Sequence, residues 1–363
     1  MNVDWFFLSH RLPLALEGIK RGYEVTLFSV DTGKRSIIES YGIRFIDLHF
    51  HRSNFNLVQE LKSFLTLYKH YRSEKPEIVH HVTLKAIFLG TIVARLAGIN
   101  NVINAFSGLG YLFIDTNKDI KKTIITRVFK NLFNKNSYKL IFQNFSDQET
   151  IESTFNIISP TKYIIKGSGI NLKDYVYLLE TNTDKTSFIF PARLLKDKGI
   201  YEYSIAAGEV NKLLPEKANF YLYGMIDVAN KTGLSKNEIK ILESSYGVIY
   251  KGYSNNMKAV YEECNVVVLP SYREGLPKSL IEACAIGRAI ITTNVPGCRD
   301  VVVDNVNGLL VPLQMINPLV KAMIQMIENR EMRIKMGREG RKIAEQEFNI
   351  EAVIERTYEI YLY

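Results

Sequence analysis

Cysteine is scarce: the 363 residues include three, Cys264, Cys284 and Cys298, all in the second half and none at metal-ligand spacing. That excludes a disulfide scaffold and suits a reducing, cytosolic compartment. No apolar run approaches the roughly 18 to 20 residues that a membrane span requires, and the first residues lack the basic-then-apolar layout of a secretory signal. The expectation is a chain that neither spans a membrane nor leaves by that route. Low-complexity tracts and repeat periods are missing, and with 47% apolar and 23% charged residues the composition is that of a folded soluble protein. Three motifs are absent as well: G-x-G-x-x-G, G-x-x-x-x-G-K-[ST] and G-x-S-x-G. Dehydrogenase, P-loop and hydrolase readings weaken accordingly. No Asp-x-Asp cluster offers a divalent cation a seat, so no metal site is expected.

What is present is unevenly spread. Residues 1–175 carry 23 Lys/Arg against 15 Asp/Glu and residues 176–363 carry 23 against 23, so the whole net charge of +8 belongs to the first half. All six histidines lie there too. At this length one hydrophobic core is rarely enough, which makes two domains the default.

Alternating strand and helix patterns run through both halves, as in α/β domains with parallel sheets. In the first half the pattern predicts strands at Glu24–Val30, Arg44–Leu48, Ile78–His81, Val102–Ala105, Leu140–Gln143 and Tyr163–Ile165. Met1-Asn-Val-Asp4 already reads as the loop after a strand, so the expected opening strand is missing or shortened. In the second half strands are predicted at Ser187–Phe190, Asn219–Tyr223, Val248–Tyr250, Val266–Leu269 and Ala289–Thr293, with helices from there to the end. Gly167 to Lys185 holds Gly167 and Gly169 and the polar stretch Glu180-Thr-Asn-Thr-Asp-Lys185, as an interdomain connection should. The expected domains are 1–170 and 171–346, with a C-terminal helix over 347–363 returning to the first.

Two stretches carry chemistry. Ser271-Tyr-Arg-Glu-Gly-Leu-Pro-Lys-Ser-Leu-Ile-Glu-Ala-Cys-Ala-Ile-Gly287 follows a buried strand and opens a helix. Ligands of such sheets bind beyond the carboxyl ends of the strands, where free amides at a helix start attract phosphate. Lys278, Ser279 and Leu280 are the expected donors. Glu274 lies in the loop and Glu282 about one turn into the helix, so both can face one ligand; Ser279-Leu-Ile-Glu282 equally matches a capping box. The second stretch, Pro191-Ala-Arg-Leu-Leu-Lys-Asp-Lys-Gly199, places Arg193 and Lys198 at the equivalent end of the sheet. An arginine fork and a lysine point charge can together neutralise a diphosphate, although a solvated basic loop gives the same pattern.

These two stretches, with Gly287-Arg-Ala-Ile-Ile-Thr-Thr-Asn-Val-Pro-Gly297, closely resemble family 4 glycosyltransferases of the GT-B fold, two doubly wound domains facing a central cleft. The resemblance extends to Phe7-Leu-Ser-His-Arg-Leu-Pro13, Ser107-Gly-Leu-Gly-Tyr111 and Gly169-Ile-Asn-Leu172. It implies a retaining, metal-independent transferase that uses a nucleotide sugar as substrate and needs no cofactor. Glu282 would hold the ribose hydroxyls, Glu274 with the backbone of Gly275 and Leu276 the donor sugar, and Arg193 and Lys198 the diphosphate. Gly224, Gly252 and Tyr253 would meet the base. Many relatives carry a histidine near the donor sugar where this chain has Ser107. Ser107 and Gly108 instead belong to a stretch resembling members that act on polyprenyl-diphosphate-linked sugars in surface polysaccharide synthesis. His10 and Arg11 are then candidates for an acceptor diphosphate, or simply an exposed helix start. His80 and His81 are expected to be structural.

The expected partners are a UDP-sugar donor, a polyprenyl-diphosphate-linked acceptor and an anionic membrane surface on the cytoplasmic side, with no nucleic-acid module in evidence. Lys118 to Lys139 reads as a basic amphipathic helix suited to such a surface, or as an ordinary helix on its own sheet. The alternatives are a transferase with a soluble acceptor, and an inactive relative truncated at its start that still binds a nucleotide sugar.

Overall fold

The computed structural model describes residues 1–49, 57–108, 130, 133, 138–157, 161–181, 183–228 and 230–362. It contains two compact units, Met1–Ser168 together with Glu351–Tyr363, and Gly169–Ile350. Apart from residues 130, 133, 138 and 139, the basic stretch Lys118 to Lys139 falls outside the described residues. Among the described residues no helix is long and apolar enough to cross a membrane.

In the first unit β1 (Thr26–Ser29) pairs with β2 (Arg44–Asp47), and β3 (Val79–Val82), β4 (Val102–Phe106), β5 (Lys139–Phe142) and β6 (Lys162–Ile164) form a second sheet in that order. Every pairing is parallel. The opening residues are not merely a loop. Val3 bridges Val30 in parallel, and the Met1 amino group donates to the Phe28 carbonyl at 2.8 Å, so Met1 to Val3 run beside β1 as a shortened strand. Asp4 then starts the helix Asp4–His10. Fully buried, its carboxylate accepts from the amides of Thr32 at 2.6 Å and Lys34 at 3.1 Å, fixing the turn after β1. The helix Ile350–Leu362 closes this unit: the Tyr358 hydroxyl donates to the Leu14 carbonyl at 3.1 Å, and Arg21 lies 4.3 Å over the Tyr358 ring.

The second unit is a six-stranded sheet, β7 (Thr186–Pro191), β8 (Ala218–Tyr223), β9 (Ile249–Gly252), β10 (Val266–Leu269), β11 (Ala289–Thr293) and β12 (Gly308–Val311), with the spatial order β12-β11-β10-β7-β8-β9. All its pairings are parallel. Val266 to Leu269 are all buried, as a central strand covered on both faces requires. One strand departs from the sequence reading, which has helices following Ala289–Thr293. Gly308 to Val311 instead pairs with β11, a close approach that the absent side chain of Gly308 permits: a Cβ there would stand 2.4 Å from the Ile290 carbonyl oxygen.

The order of the strands reverses at β7. From β7 the chain builds outward through β8 and β9, then returns to the other side of β7 and builds β10, β11 and β12 the opposite way. The connections leaving β7 and β10 therefore lead toward opposite sides, and the carboxyl ends of these two neighbours form the switch point where ligands of such sheets bind.

Arg288, 1% exposed, ties this unit together from within. Its guanidinium donates to the carbonyls of Leu178 at 2.6 Å, Tyr261 at 2.7 Å and Glu262 at 3.1 Å. Arg288→Met is expected to lower stability by about 3 kcal/mol, because buried carbonyls lose their donor, as read from the midpoint of urea unfolding; an unchanged midpoint would refute that role.

Candidate functional site

The loop after β7 is held by its neighbour. Ala192 N–H donates to the Tyr223 carbonyl at 3.1 Å and Leu194 N–H to the Met225 carbonyl at 3.1 Å. Gly224 must be glycine for this approach, since a Cβ would stand 1.8 Å from the Ala192 oxygen. Arg193 projects from this segment, and its Nη1 donates to Asp227 Oδ2 at 3.0 Å. A 3₁₀ turn over Lys196–Lys198 follows, and Gly199, at φ +78°, leads into the helix Ile200–Leu213. Any side chain at Gly199 would collide with the Pro270 carbonyl at 2.1 Å.

That contact marks where the loops after β7 and β10 meet. Tyr272 N–H donates to the Asp197 carbonyl at 2.9 Å, and Ser271 Oγ lies 3.2 Å from the same oxygen. The stitch brings Lys198 Nζ to Glu274 Oε1 at 2.6 Å, where Ser271 Oγ also donates at 2.8 Å. Both partners keep a little exposure, 17% for the Lys198 side chain and 12% for Glu274, so the pair stands at a surface and is not lost in the core. A third loop, after β11, completes the support: Glu274 N–H donates to the Pro296 carbonyl at 3.2 Å, and Gly297, at φ +82°, lies against the Glu274 carbonyl with no room for a Cβ.

Glu282 is built differently. Pro277 takes the N-cap place of the helix Lys278–Ile286, with no side-chain cap, which makes Ser279 its second residue. The capping-box reading therefore fails: the Glu282 carboxylate does not turn back to the helix start. Its Oε1 accepts from the Tyr175 hydroxyl at 3.1 Å and its Oε2 from the Tyr261 hydroxyl at 3.0 Å, while Lys278 Nζ lies 3.7 Å away. Burial raises the Glu282 pKa, and the Lys278 charge and the two phenols pull it part of the way back. The same burial, with the carboxylate beside them, raises both phenols, so they remain O–H donors through the neutral range. Of the three amides expected as donors at this helix start, that of Leu280 already donates to the Pro277 carbonyl at 3.0 Å.

The other candidates fall as follows. Gly275 is buried beside Glu274, and Leu276 is 8% exposed. The Gly224 carbonyl accepts from the Tyr250 hydroxyl at 3.0 Å, Gly252 has φ +82°, and Tyr253 is exposed. His10, Arg11, Ser107 and Gly108 belong to the first unit. His10 stacks on Phe6 with ring centroids 4.1 Å apart, and Arg11 Nη1 donates to the His10 carbonyl at 3.1 Å. Burial lowers the Arg11 pKa, and its charge acts on Tyr361 and His80. Ser107 and Gly108 follow β4, Gly108 with φ +93°. His81 is built into the core: its ring nitrogens meet Asn104 Oδ1 at 2.9 Å and the Tyr71 hydroxyl at 3.2 Å, and burial pushes its pKa down to about 4. Sequence reasoning missed Asp227, Ser271, Tyr175 and Tyr261 as partners. Only Ser271 carried a signal, three residues before Glu274; Tyr175 reaches Glu282 from 107 residues away.

Two family models match: residues 178–343 the one described as "Glycosyl transferases group 1", and residues 1–144 the one described as "Glycosyl transferase 4-like". The chain is 26% identical over 362 residues to the N,N'-diacetylbacillosaminyl-diphospho-undecaprenol alpha-1,3-N-acetylgalactosaminyltransferase of Campylobacter jejuni, covering 94% of this chain and 93% of that protein. It is also 26% identical over 325 residues to the UDP-Gal:alpha-D-GlcNAc-diphosphoundecaprenol alpha-1,3-galactosyltransferase of Escherichia coli, covering 85% and 81%. Among solved structures, Anabaena Alr3699/HepE in complex with UDP-glucose matches at a TM-score of 0.78 with 16% identity, over 96% of this chain and 94% of that one.

The raised Glu282 pKa implies a pH-dependent cost. A carboxyl whose folded pKa lies above its unfolded value contributes stability below the unfolded pKa and loses it as pH rises through the folded one. Glu282→Gln is therefore expected to be more stable than the wild type at neutral pH, with the gain shrinking as pH falls toward the carboxyl range. Urea unfolding of both proteins at several pH values checks this; a gain that grows on acidification would contradict it.

Proposed function

We propose, given that the chain belongs to the group 1, family 4-like glycosyltransferases of the GT-B fold, that it moves a hexose or N-acetylhexosamine from a UDP-sugar to a polyprenyl-diphosphate-linked acceptor in cell-surface polysaccharide synthesis. The observation that carries the donor side is the Lys198–Glu274 pair, 2.6 Å apart where the loops after β7 and β10 meet. A cation and a carboxylate joined there meet the two ends of a sugar diphosphate: Lys198 the phosphate, Glu274 the sugar hydroxyls.

The chemistry places a demand that these residues meet. As the bond between the anomeric carbon and the phosphate oxygen breaks, negative charge grows on the departing diphosphate, and Lys198 with Arg193 stabilises it without a divalent cation. The acceptor hydroxyl bonds to the anomeric carbon on the face the phosphate leaves, and its proton passes to a phosphate oxygen, so configuration is retained and no protein nucleophile is required. Glu282, oriented by Tyr175 and Tyr261, accepts the ribose hydroxyls. Gly275 and Leu276 offer backbone to the sugar, Lys278 and Ser279 to the phosphates, and Gly224, Gly252 and Tyr253 surround the base.

For the acceptor, support comes from the names of the relatives, which specify diphospho-undecaprenol and diphosphoundecaprenol. His10, Arg11, Ser107 and Gly108 are assigned to that side. A lipid-linked acceptor brings the enzyme to the cytoplasmic face of the plasma membrane as a peripheral protein, where the +8 excess favours anionic lipid.

The test is UDP release from a panel of UDP-sugars in the presence of a polyprenyl-diphosphate-linked sugar. Arg193→Ala and Glu274→Ala are each expected to lower turnover by about two to three orders of magnitude while leaving the unfolding midpoint in place. Near-normal turnover in either variant would dismiss the assignment.

A further inference from the structure

The helix Leu57–Glu74 of the first unit has two unlike faces. Ser63, Leu67 and Tyr71, four residues apart, are buried at 0%, 4% and 5% exposure and face the core. The outward side holds Val58, Leu61 and Leu65 at 63%, 58% and 54% exposure, on successive turns, with Lys62, Lys69 and Arg72 exposed along the same stripe. Scattered exposed apolar residues are ordinary, but an aligned row of three bordered by cations is not.

The acids of this helix are placed elsewhere. It has two, Glu60 and Glu74. Glu60 is paired with Lys85 on the neighbouring helix, and Glu74 sits at the C-terminal end bonded to His70 at 2.7 Å and to Arg44 at 3.0 Å. From Val58 to Arg72 the outward stripe is apolar and cationic, with no exposed acid.

We infer that this face seats the protein on an anionic bilayer, with Val58, Leu61 and Leu65 entering the headgroup boundary and Lys62, Lys69 and Arg72 meeting lipid phosphates. Aliphatic chains at that depth leave water while flanking ammonium and guanidinium groups stay at headgroup level, the arrangement interfacial helices use. Each cation near an anionic surface adds its own attraction, which salt screens. The inference rests on the reading of a lipid-linked acceptor, which requires a membrane-facing surface, and it names that surface.

Flotation of the full chain with vesicles, with neither donor nor acceptor present, tests it. The wild type is expected to partition onto mixed phosphatidylglycerol and phosphatidylethanolamine vesicles, weakly onto pure phosphatidylcholine, and less as salt is raised. Leu61→Ser with Leu65→Ser, and separately Lys62→Glu with Lys69→Glu, are each expected to weaken partitioning at least about tenfold with melting temperature and UDP binding unchanged. Partitioning equal to wild type in either double variant overturns the inference. So does a lower melting temperature in the leucine variant, which would mean that the protein itself packs on this face. A wild type that ignores vesicles but forms a dimer, which the leucine variant abolishes, overturns it in favour of a second copy. The acceptor reading is judged apart: an enzyme that floats through this face yet transfers nothing to polyprenyl-linked sugar refutes that reading alone.

Discussion

The carbonyl of Asp197 accepts the Tyr272 amide, and much of the candidate site depends on that bond. It joins the loops that leave two adjacent strands in opposite directions, and so it fixes the distance between a lysine numbered 198 and a glutamate numbered 274. Without it the two side chains would sit on separate surface loops, where an ion pair contributes little and holds no geometry. With it, Ser271 adds a second donor to the same carboxylate oxygen, and Gly199 and Gly297 supply left-handed turns where no Cβ fits. The site's precision resides in backbone contacts, and its charge in the side chains they aim.

The charged groups of the site are already engaged. Lys198 is held by Glu274, Arg193 by Asp227, and Glu282 by two tyrosines and Lys278. On the proposed reading, a diphosphate bound here would meet cations whose directions are already set, which is the condition for strong electrostatic stabilisation. Glu282 shows what such order costs: a carboxylate that would be more comfortable in water is kept in a buried place by two phenols that burial itself keeps protonated.

Much of the fold was legible because hydrophobic period is local. Val266 to Leu269 reads as a buried strand, and so it is, with the next helix ending at Gly287 in the left-handed conformation. Gly308 to Val311 was missed since four residues with one glycine carry too little pattern, and only the pairing with β11 makes a strand of them. The opening strand was legible as missing or shortened, but its pairing with Val30 was not, because a single bridge leaves no period at all.

For the site, chemistry and loop placement in the sequence singled out Glu274, Glu282, Arg193 and Lys198, since charged residues beside glycines after apolar strands are a pattern along the chain. Which of them touch is a different matter. That Lys198 meets Glu274, that Arg193 meets Asp227, and that Glu282 is held by Tyr175 and Tyr261 rather than capping its own helix follows from contacts between residues 21 to 107 positions apart. The sequence by itself determined the strand and helix alphabet and the kinds of charge at each loop, because these depend on neighbours along the chain. Partners, burial and the protonation that burial imposes were decided by tertiary structure alone, because the groups responsible are neighbours only once the sheet and its covering helices have assembled.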